Sequence, residues 1–465
     1  MPDQLDAVLA HLDDTHDAQM DRLADLLRIA SVSTDPAHDG DVRKAAECCC
    51  DYLNAGGFEA SVRDTTGHPM VVGHVDGPAD APHILYYGHY DVQPPDPLEL
   101  WESGPFEPTI MEGKNGPKIV ARGACDDKGQ LMMFVEALRA WHEVGGGIPV
   151  RATVLLEGEE ESGSPSLDTF LEANADELRP DICVVSDTGM WDPQTPAITT
   201  MLRGMVYLEA TLHGPSHDLH SGMCGGAVVN PINALCSVLA GLHDADGRIT
   251  ISGFYDGIID PSEAQHAQWA ELGFDEAGFL QEVGLPESTG EAGCTILERI
   301  WSRPTLDING IFGGYTGDGA KTVIPSHATA KFSCRLVPGQ DPEAIEAMIR
   351  GHLEKNTPAG CRWTIVSHGV NPAIQVPDES PWLEAAQGAL KQIWGRPAVL
   401  MGCGGSIPVV GSFQTILKAD SLLIGFGLDD DRVHSPNEKF DIACFRGGTR
   451  SHAAVVTALA AVSDD

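Results

Sequence analysis

Residues 85–94 read LYYGHYDVQP, an apolar run ending in a histidine and an aspartate two positions apart, just ahead of Pro94 and Pro95. Alternate residues of a strand point to the same face, so His89 and Asp91 emerge together where the prolines end the strand. Two readings are open at this point. The strand simply finishes in polar residues, or an imidazole binds a metal while the carboxylate holds its ring. The same kind of apolar run recurs at MVVGHV (70–75), VRATVLLEG (150–158) and DICVVSD (181–187), with helical stretches between several of them, such as KGQLMMFVEALRAWHEV (128–144). That alternation predicts an α/β domain built on a mixed, largely parallel sheet.

Upstream, residues 4–31 carry apolar positions at helical spacing: Leu5, Val8, Leu9 and Leu12, then Leu23, Leu26 and Leu27. A further helix is predicted from about Asp41 to Asn54, stopped by Gly56 and Gly57. From Met201 the texture changes. MVYLEATLHG and HATAKFSCRLVP read as strands and NPINALCSVLAGLHD as a helix, separated by long Gly- and Pro-punctuated connections. The α/β texture resumes near residue 375 with SPWLEAAQGALKQIW and SLLIGFG. The predicted organisation is therefore a first α/β part over 1–200, an inserted α+β domain over 201–374, and a second α/β part over 375–465.

Composition narrows the function classes. The 465 residues are 42% hydrophobic, and no apolar run is long enough to span a membrane. The acidic, amphipathic N-terminus lacks the basic start and apolar stretch of a secretory signal, so the expected location is cytoplasmic. The 12 cysteines fit a reducing compartment; Cys48, Cys49 and Cys50 share one helix and make neither a disulfide framework nor paired zinc spacing. With 29 Lys+Arg against 68 Asp+Glu, the net charge of −39 argues against nucleic-acid and anionic-membrane partners. The acid excess is also consistent with salt adaptation.

Ligands of α/β sheets gather at the carboxyl ends of strands. There the sequence places GHYDV (His89, Asp91), RGACDDKG (Asp126, Asp127), EGEEESGS (Glu157 to Glu161), VVSDTG (Asp187) and DDDRVHSPNEKF (His434). Each alone is an ordinary solvated turn; together, successive elements of one sheet are expected to end in hard ligands. Asp126, Glu161 and Asp187 supply three negative charges and His89 and His434 two neutral nitrogens. Two divalent ions and a bridging hydroxide would bring such a site to neutrality, and ions ~3.5 Å apart can clamp an attacking hydroxide and a carbonyl oxygen. Oxygen and imidazole donors suit zinc, manganese or cobalt and leave the choice open. Glu160 remains free to act as a general base.

The series GHYDVQP, RGACDDKG, EGEEESGS, SDTG and HSPNEKF, joined by DLHSGMCGG, GAKTVIP, CRLVP and GGSIP, resembles the dinuclear-metal exopeptidase family of carnosine dipeptidases, glutamate carboxypeptidases and acetylornithine deacetylases. Within that family it is most similar to the cytosolic, non-specific carnosine-type dipeptidases, in the same motif order over nearly the whole chain. The resemblance implies that His89 and Asp187 bind one metal, Glu161 and His434 the other, and that Asp126 bridges them. Asp91 would orient the His89 ring and Glu160 would be the base. The inserted domain would serve as a lid and pair with its twin in a homodimer. His220 would then polarise the scissile carbonyl from the neighbouring chain, Arg335 would pair with the substrate carboxylate, and Thr322 and Ser406 would add polar contacts. It also implies a cis peptide between Asp126 and Asp127.

Some positions depart from the family pattern. Glu159 stands where an apolar residue is expected, so a slip of one residue would exchange the roles of base and ligand; the following SGS favours Glu160 as base. Cys224 and Cys403 replace larger or charged side chains beside the substrate motifs. The expected function is metal-dependent hydrolysis of dipeptides. The alternatives are an N-acyl-amino-acid or N-carbamoyl hydrolase on the same scaffold, and a non-catalytic peptide- or metal-binding protein.

Overall fold

The run around His89 forms the strand His83–His89, buried along almost its whole length. It lies between two parallel neighbours, Arg151–Glu157 and Ile182–Val185, and Ser421–Leu423 extends the parallel block beyond Ile182–Val185. Met70–Val75 and Glu59–Arg63 add antiparallel strands on the other side, so the sheet is mixed with a parallel centre. Strands covered on both faces need apolar residues at every position, which is why these segments read as continuous runs rather than as alternations. His89 stands opposite Glu157 in the register, so the loops carrying Asp91 and Glu159 to Glu161 leave the sheet at one level.

This computed structural model describes residues 2–377, 379–405 and 407–462. The chain divides into two units: Met1–Thr200, Val376–Met401 and Pro408–Asp465 form the first, and Met201–Gln375 with Gly402–Ile407 the second. In the first, the helix Lys128–Val144 is buried over most of its length and packs against Ile442–Leu459, with Pro2–Asp14 against both. Leu131, Phe134, Leu138, Phe426, Phe445 and Val455 belong to one continuous core there. The periodic stretch at the N-terminus is two helices, Pro2–Asp14 and His16–Leu27, and all seven of its predicted apolar positions are buried.

One expectation needs correcting. The polar clusters do not all leave one sheet. Asp126 follows Gly116–Val120, a strand of a separate three-stranded antiparallel sheet with Thr109–Gly113 and Lys439–Asp441. His434 lies in the loop leading into Lys439–Asp441. These strands are three to five residues long and too polar to stand out in the sequence.

The second unit is an α+β layer. Its antiparallel sheet runs Thr305–Gly313, His327–Leu336, Gly204–His213, Arg362–Asn371. Burial alternates strictly along Gly204–His213, as expected when only one face of a sheet is fully covered. Val206, Leu208, Ala210 and Leu212 point to the covered face and pack with Leu235, Ile345, Ile349 and Leu353 from the helices Pro231–Ala240 and Pro342–Lys355. Thr305–Gly313 lies at the sheet edge and exposes Ile308, Ile311 and Phe312. Among the described residues, no helix is long and apolar enough to cross a membrane.

The core of the first unit contains a titratable group. His452 on Ile442–Leu459 is buried against the edges of Tyr86, Phe134 and Phe426, with Nε2 3.1 Å from Ser186 Oγ. Burial pushes its pKa down from 6.5 to about 3. The unfolded chain therefore takes a proton below pH ~6.5 that the folded chain refuses, and stability falls as the pH drops from there toward 3. Between pH 6.5 and 5 this one residue removes about 2 kcal/mol, at ~1.4 kcal/mol per unit. In urea titrations at the two pH values, His452→Gln should flatten the pH dependence by that amount. Equal slopes for wild type and variant would disprove the assignment.

Candidate metal centre

The site in the first unit grows from His89. Its preceding residue, Gly88, permits a close approach: a Cβ there would lie 2.8 Å from Asp127 Oδ2, the atom that accepts the His89 backbone N–H at 3.0 Å. On the ring, Nδ1 lies 3.2 Å from the Asp91 carbonyl oxygen and 3.4 Å from Asp91 Oδ1. Nε2 is thereby aimed at Asp126 Oδ1, 3.1 Å away. The i, i+2 pair has a second duty that the sequence did not disclose. The Asp91 carboxylate accepts the backbone N–H groups of Glu160, at 3.3 Å, and Glu161, at 3.0 Å. One buried carboxylate thus fixes both the imidazole and the glutamate turn.

Asp126 stands between two histidines. Its Oδ2 is 3.0 Å from His434 Nε2, which is also 3.3 Å from Glu161 Oε2. Gln93 donates to the same Glu161 oxygen at 2.7 Å. His89, Asp126 and Asp187 each offer a donor atom within 4.8 Å of the others, and Asp126, Glu161 and His434 do the same. Asp126 belongs to both groups. The Asp126–Asp127 peptide is cis.

Electrostatics follow from this crowding. Burial, with the carboxylates of Glu161, Asp126 and Asp91 nearby, pushes Glu160 up to about 7. Burial and the Asp126 charge raise Asp187 well above the usual carboxylate range. Burial would raise Asp126 too, but hydrogen bonds from His434 and His89 hold it low. Hydrogen bonds to Asp126 and Glu161 lift His434 to about 10. Burial disfavours a charged His89, yet Asp126 and Asp91 raise it well above 6.5. The cluster therefore draws positive charge to the two imidazoles. Nitrogen and carboxylate donors with this demand fit divalent cations, which would take the place of those protons.

The three glutamates point in different directions. Glu159 turns away and is buried: Oε1 accepts the His68 N–H at 2.7 Å and Oε2 the Ser166 N–H at 3.1 Å. Gly67 leaves room for it, since a Cβ there would fall 1.6 Å from Glu159 Oε1. Glu160 faces the charged cluster.

The remaining sequence-predicted residues lie in the second unit. Leu219–His220 pairs with Val323–Ile324, and the Ser221 N–H donates to the Thr322 carbonyl at 3.0 Å, so His220 and Thr322 share one small ribbon. His220 is exposed, and its Nδ1 accepts the Gly222 N–H at 3.0 Å. Arg335 is on the strand His327–Leu336. Ser406 lies outside the described residues. Sequence reasoning named Asp127 without its bond to the His89 N–H, and missed Gln93, Arg122 and Glu438, whose contacts span up to 316 positions and leave no local signal. For Glu438 alone a hint existed, its place four residues after His434.

Residues 85–458 match the model of peptidase family M20/M25/M40. The chain is 32% identical to the Cys-Gly metallodipeptidase DUG1 of Saccharomyces cerevisiae over 98% of either chain. It is 30% identical to the Beta-Ala-His dipeptidase of Homo sapiens over 83% of this chain and 76% of that protein. Among solved structures, the dipeptidase Dug1p from Saccharomyces cerevisiae is similar with a TM-score of 0.82 at 29% identity, covering 99% of each chain. A family match spanning residues 85–458, with a relative 32% identical over nearly the whole chain, leads to one conclusion: the chain belongs to peptidase family M20/M25/M40.

Proposed function

We propose that this family member is a dipeptidase that uses two divalent ions, zinc in the first instance and manganese or cobalt as alternatives. Two donor groups joined through Asp126, with the spare carboxylate of Glu160 beside them, carry this reading. His89 and Asp187 would hold one ion, Glu161 and His434 the other, and Asp126 both. Ions bound there supply Lewis acidity, polarising a carbonyl and lowering the pKa of water. The relatives named for Cys-Gly and Beta-Ala-His substrates support a dipeptide as the molecule cleaved.

In this mechanism Glu160 accepts a proton from the attacking water as its oxygen bonds to the peptide carbon. It then delivers that proton to the amine nitrogen as the C–N bond breaks. A carboxyl poised near neutrality suits both halves of the exchange. Asp91 keeps Glu160 in place through the backbone N–H it accepts. Arg335 pairs with the free carboxylate of the substrate, a bidentate task for guanidinium. Thr322 and Ser406 add polar contacts, and His220 donates to the developing oxyanion.

We further propose a homodimer in which the second unit pairs with its twin along Thr305–Gly313. Exposed Ile308, Ile311 and Phe312 on an unpaired sheet edge support that surface. In this reading His220 acts across the dimer. The protein is cytoplasmic, in keeping with 12 cysteines that are all free thiols.

Metal analysis at saturation should find two ions per chain, with dipeptide hydrolysis lost to chelators and restored by zinc, manganese or cobalt; one ion or none refutes the dinuclear reading. Glu160→Gln should keep both ions and lose turnover by about 10²–10⁴-fold. Glu159→Gln should instead cost about 1–3 kcal/mol of stability and leave turnover in place. If the two phenotypes are exchanged, the register assigned to the glutamates is wrong.

Subunit exchange tests the dimer. In a mixed dimer of His220→Ala and Glu160→Gln chains, the His220→Ala chain keeps its own Glu160 and borrows His220, so one of two sites is whole. Recovered activity is expected. Verified mixed dimers without activity would reject a shared site.

A further inference from the structure

Glu438 is fully buried at the foot of the His434 loop and takes no part in the mechanism above. Its carboxylate is wrapped by the loop that carries Asp126. Oε2 accepts from Arg122 Nη1 at 2.7 Å and from the Gly123 N–H at 3.0 Å. Oε1 accepts the N–H groups of Cys125 at 2.9 Å and of Asp126 itself at 3.0 Å. Backbone N–H groups curled round an anion form a nest, and here the anion is a side chain of the same protein. Arg122 carries the connection further, donating through Nη2 to the carbonyl of Pro94 at 3.2 Å, just beyond His89 and Asp91.

The neighbours of Glu438 tie down the rest of its loop. Asn437 accepts the Glu102 N–H and donates to the Leu100 carbonyl, both at 2.7 Å. The Lys439 N–H donates to the Asp431 carbonyl at 2.9 Å, and its ammonium lies 2.7 Å from Asp430 and Asp431 and 3.0 Å from Asp441. The loop between these clasps carries His434 in the left-handed region, at φ 61°, with Arg432 at 56° and Asn437 at 64°. Three non-glycine residues in that region require support from outside the loop. An ion pair with only a packing role would need the Arg122 contact alone. The convergence of the Asp126 N–H on the same carboxylate points to a task at the metal centre.

We propose that Glu438 is a positioning residue that locks the Asp126 loop to the His434 loop and so sets the affinity of the centre for divalent ions. The inference rests on the dinuclear reading and assigns to it a residue that touches neither substrate nor ion. Glu438→Gln puts an amide N–H₂ against donors and removes the charge facing Arg122. Glu438→Asp keeps the charge and withdraws it by one methylene.

The test uses the full-length chain and zinc as the probe. Zinc dissociation constants are measured by competition with a chromophoric chelator, alongside kcat, KM and the melting temperature of the metal-free protein. Both variants should bind zinc about 10–100-fold more weakly than wild type. At limiting zinc, kcat should fall while KM stays near the wild-type value. Amide hydrogen exchange of metal-free wild type, read by mass spectrometry on peptides spanning residues 122–127, should show protection that the Asp variant loses. A folded variant with wild-type zinc affinity and kcat overturns the proposal, whatever its melting temperature. If neither variant folds, the wild-type exchange decides: fast exchange across 122–127 overturns the proposal and protection upholds it. A wild-type chain that takes up no zinc overturns the dinuclear reading and this role with it. Two ions in wild type with unchanged variants overturn the role of Glu438 alone.

Discussion

Repulsion among carboxylates governs the first unit. Asp126, Glu160, Glu161 and Asp187 are brought into one largely desolvated space, where like charges interact far more strongly than in water. The fold resists this by anchoring the segments of His89, Asp126 and the two glutamates at the backbone. Asp91 accepts from Glu160 and Glu161, Asp127 from His89, and Glu438 from Asp126. In every case the partner is an N–H of the residue that carries the functional side chain. The side chains remain available to a ligand while the chain beneath them cannot relax away from the crowding.

Much of this was legible in the sequence, for a physical reason. A parallel strand buried on both faces must be apolar throughout, so the polar residues that end it stand out, as His89 and Asp91 do after LYYG. The helix Lys128–Val144 and the packed positions of the N-terminal helices were equally plain from period and composition. The small sheet that delivers Asp126 and His434 was hidden. Its strands are short, and its pairing of Val120 with Lys439 joins segments more than three hundred residues apart. The hold of Asp91 on the glutamate turn and the role of Glu438 were hidden for the same reason: a buried acid and a surface acid are the same letter until a distant loop closes over one of them. The glutamate run shows it within three residues, since Glu159 and Glu160 differ only in the partners that tertiary structure brings to each.

The second unit is constructed on a different principle. Its sheet presents one face to its own helices and leaves the other only partly covered, and an edge strand carries exposed apolar side chains. Such an edge is a hazard for a chain that stays alone. The same edge is an asset where the intended partner is another copy. Its burial pattern alternates residue by residue, which made Gly204–His213 readable as a strand, whereas the contacts of His220 and Arg335 with a substrate had to rest on family resemblance.

The clasp formed by Asn437, Glu438 and Lys439 has a bearing on how the protein is made. A ribosome releases the chain from its amino end, so the segments bearing His89, Asp126, Glu161 and Asp187 emerge hundreds of residues before position 438. Until that last stretch appears, the nest around Asp126 lacks its anion and the acidic cluster lacks His434. Completion of the cluster is consequently deferred to the end of synthesis, when the closing strand zips onto Gly116–Val120.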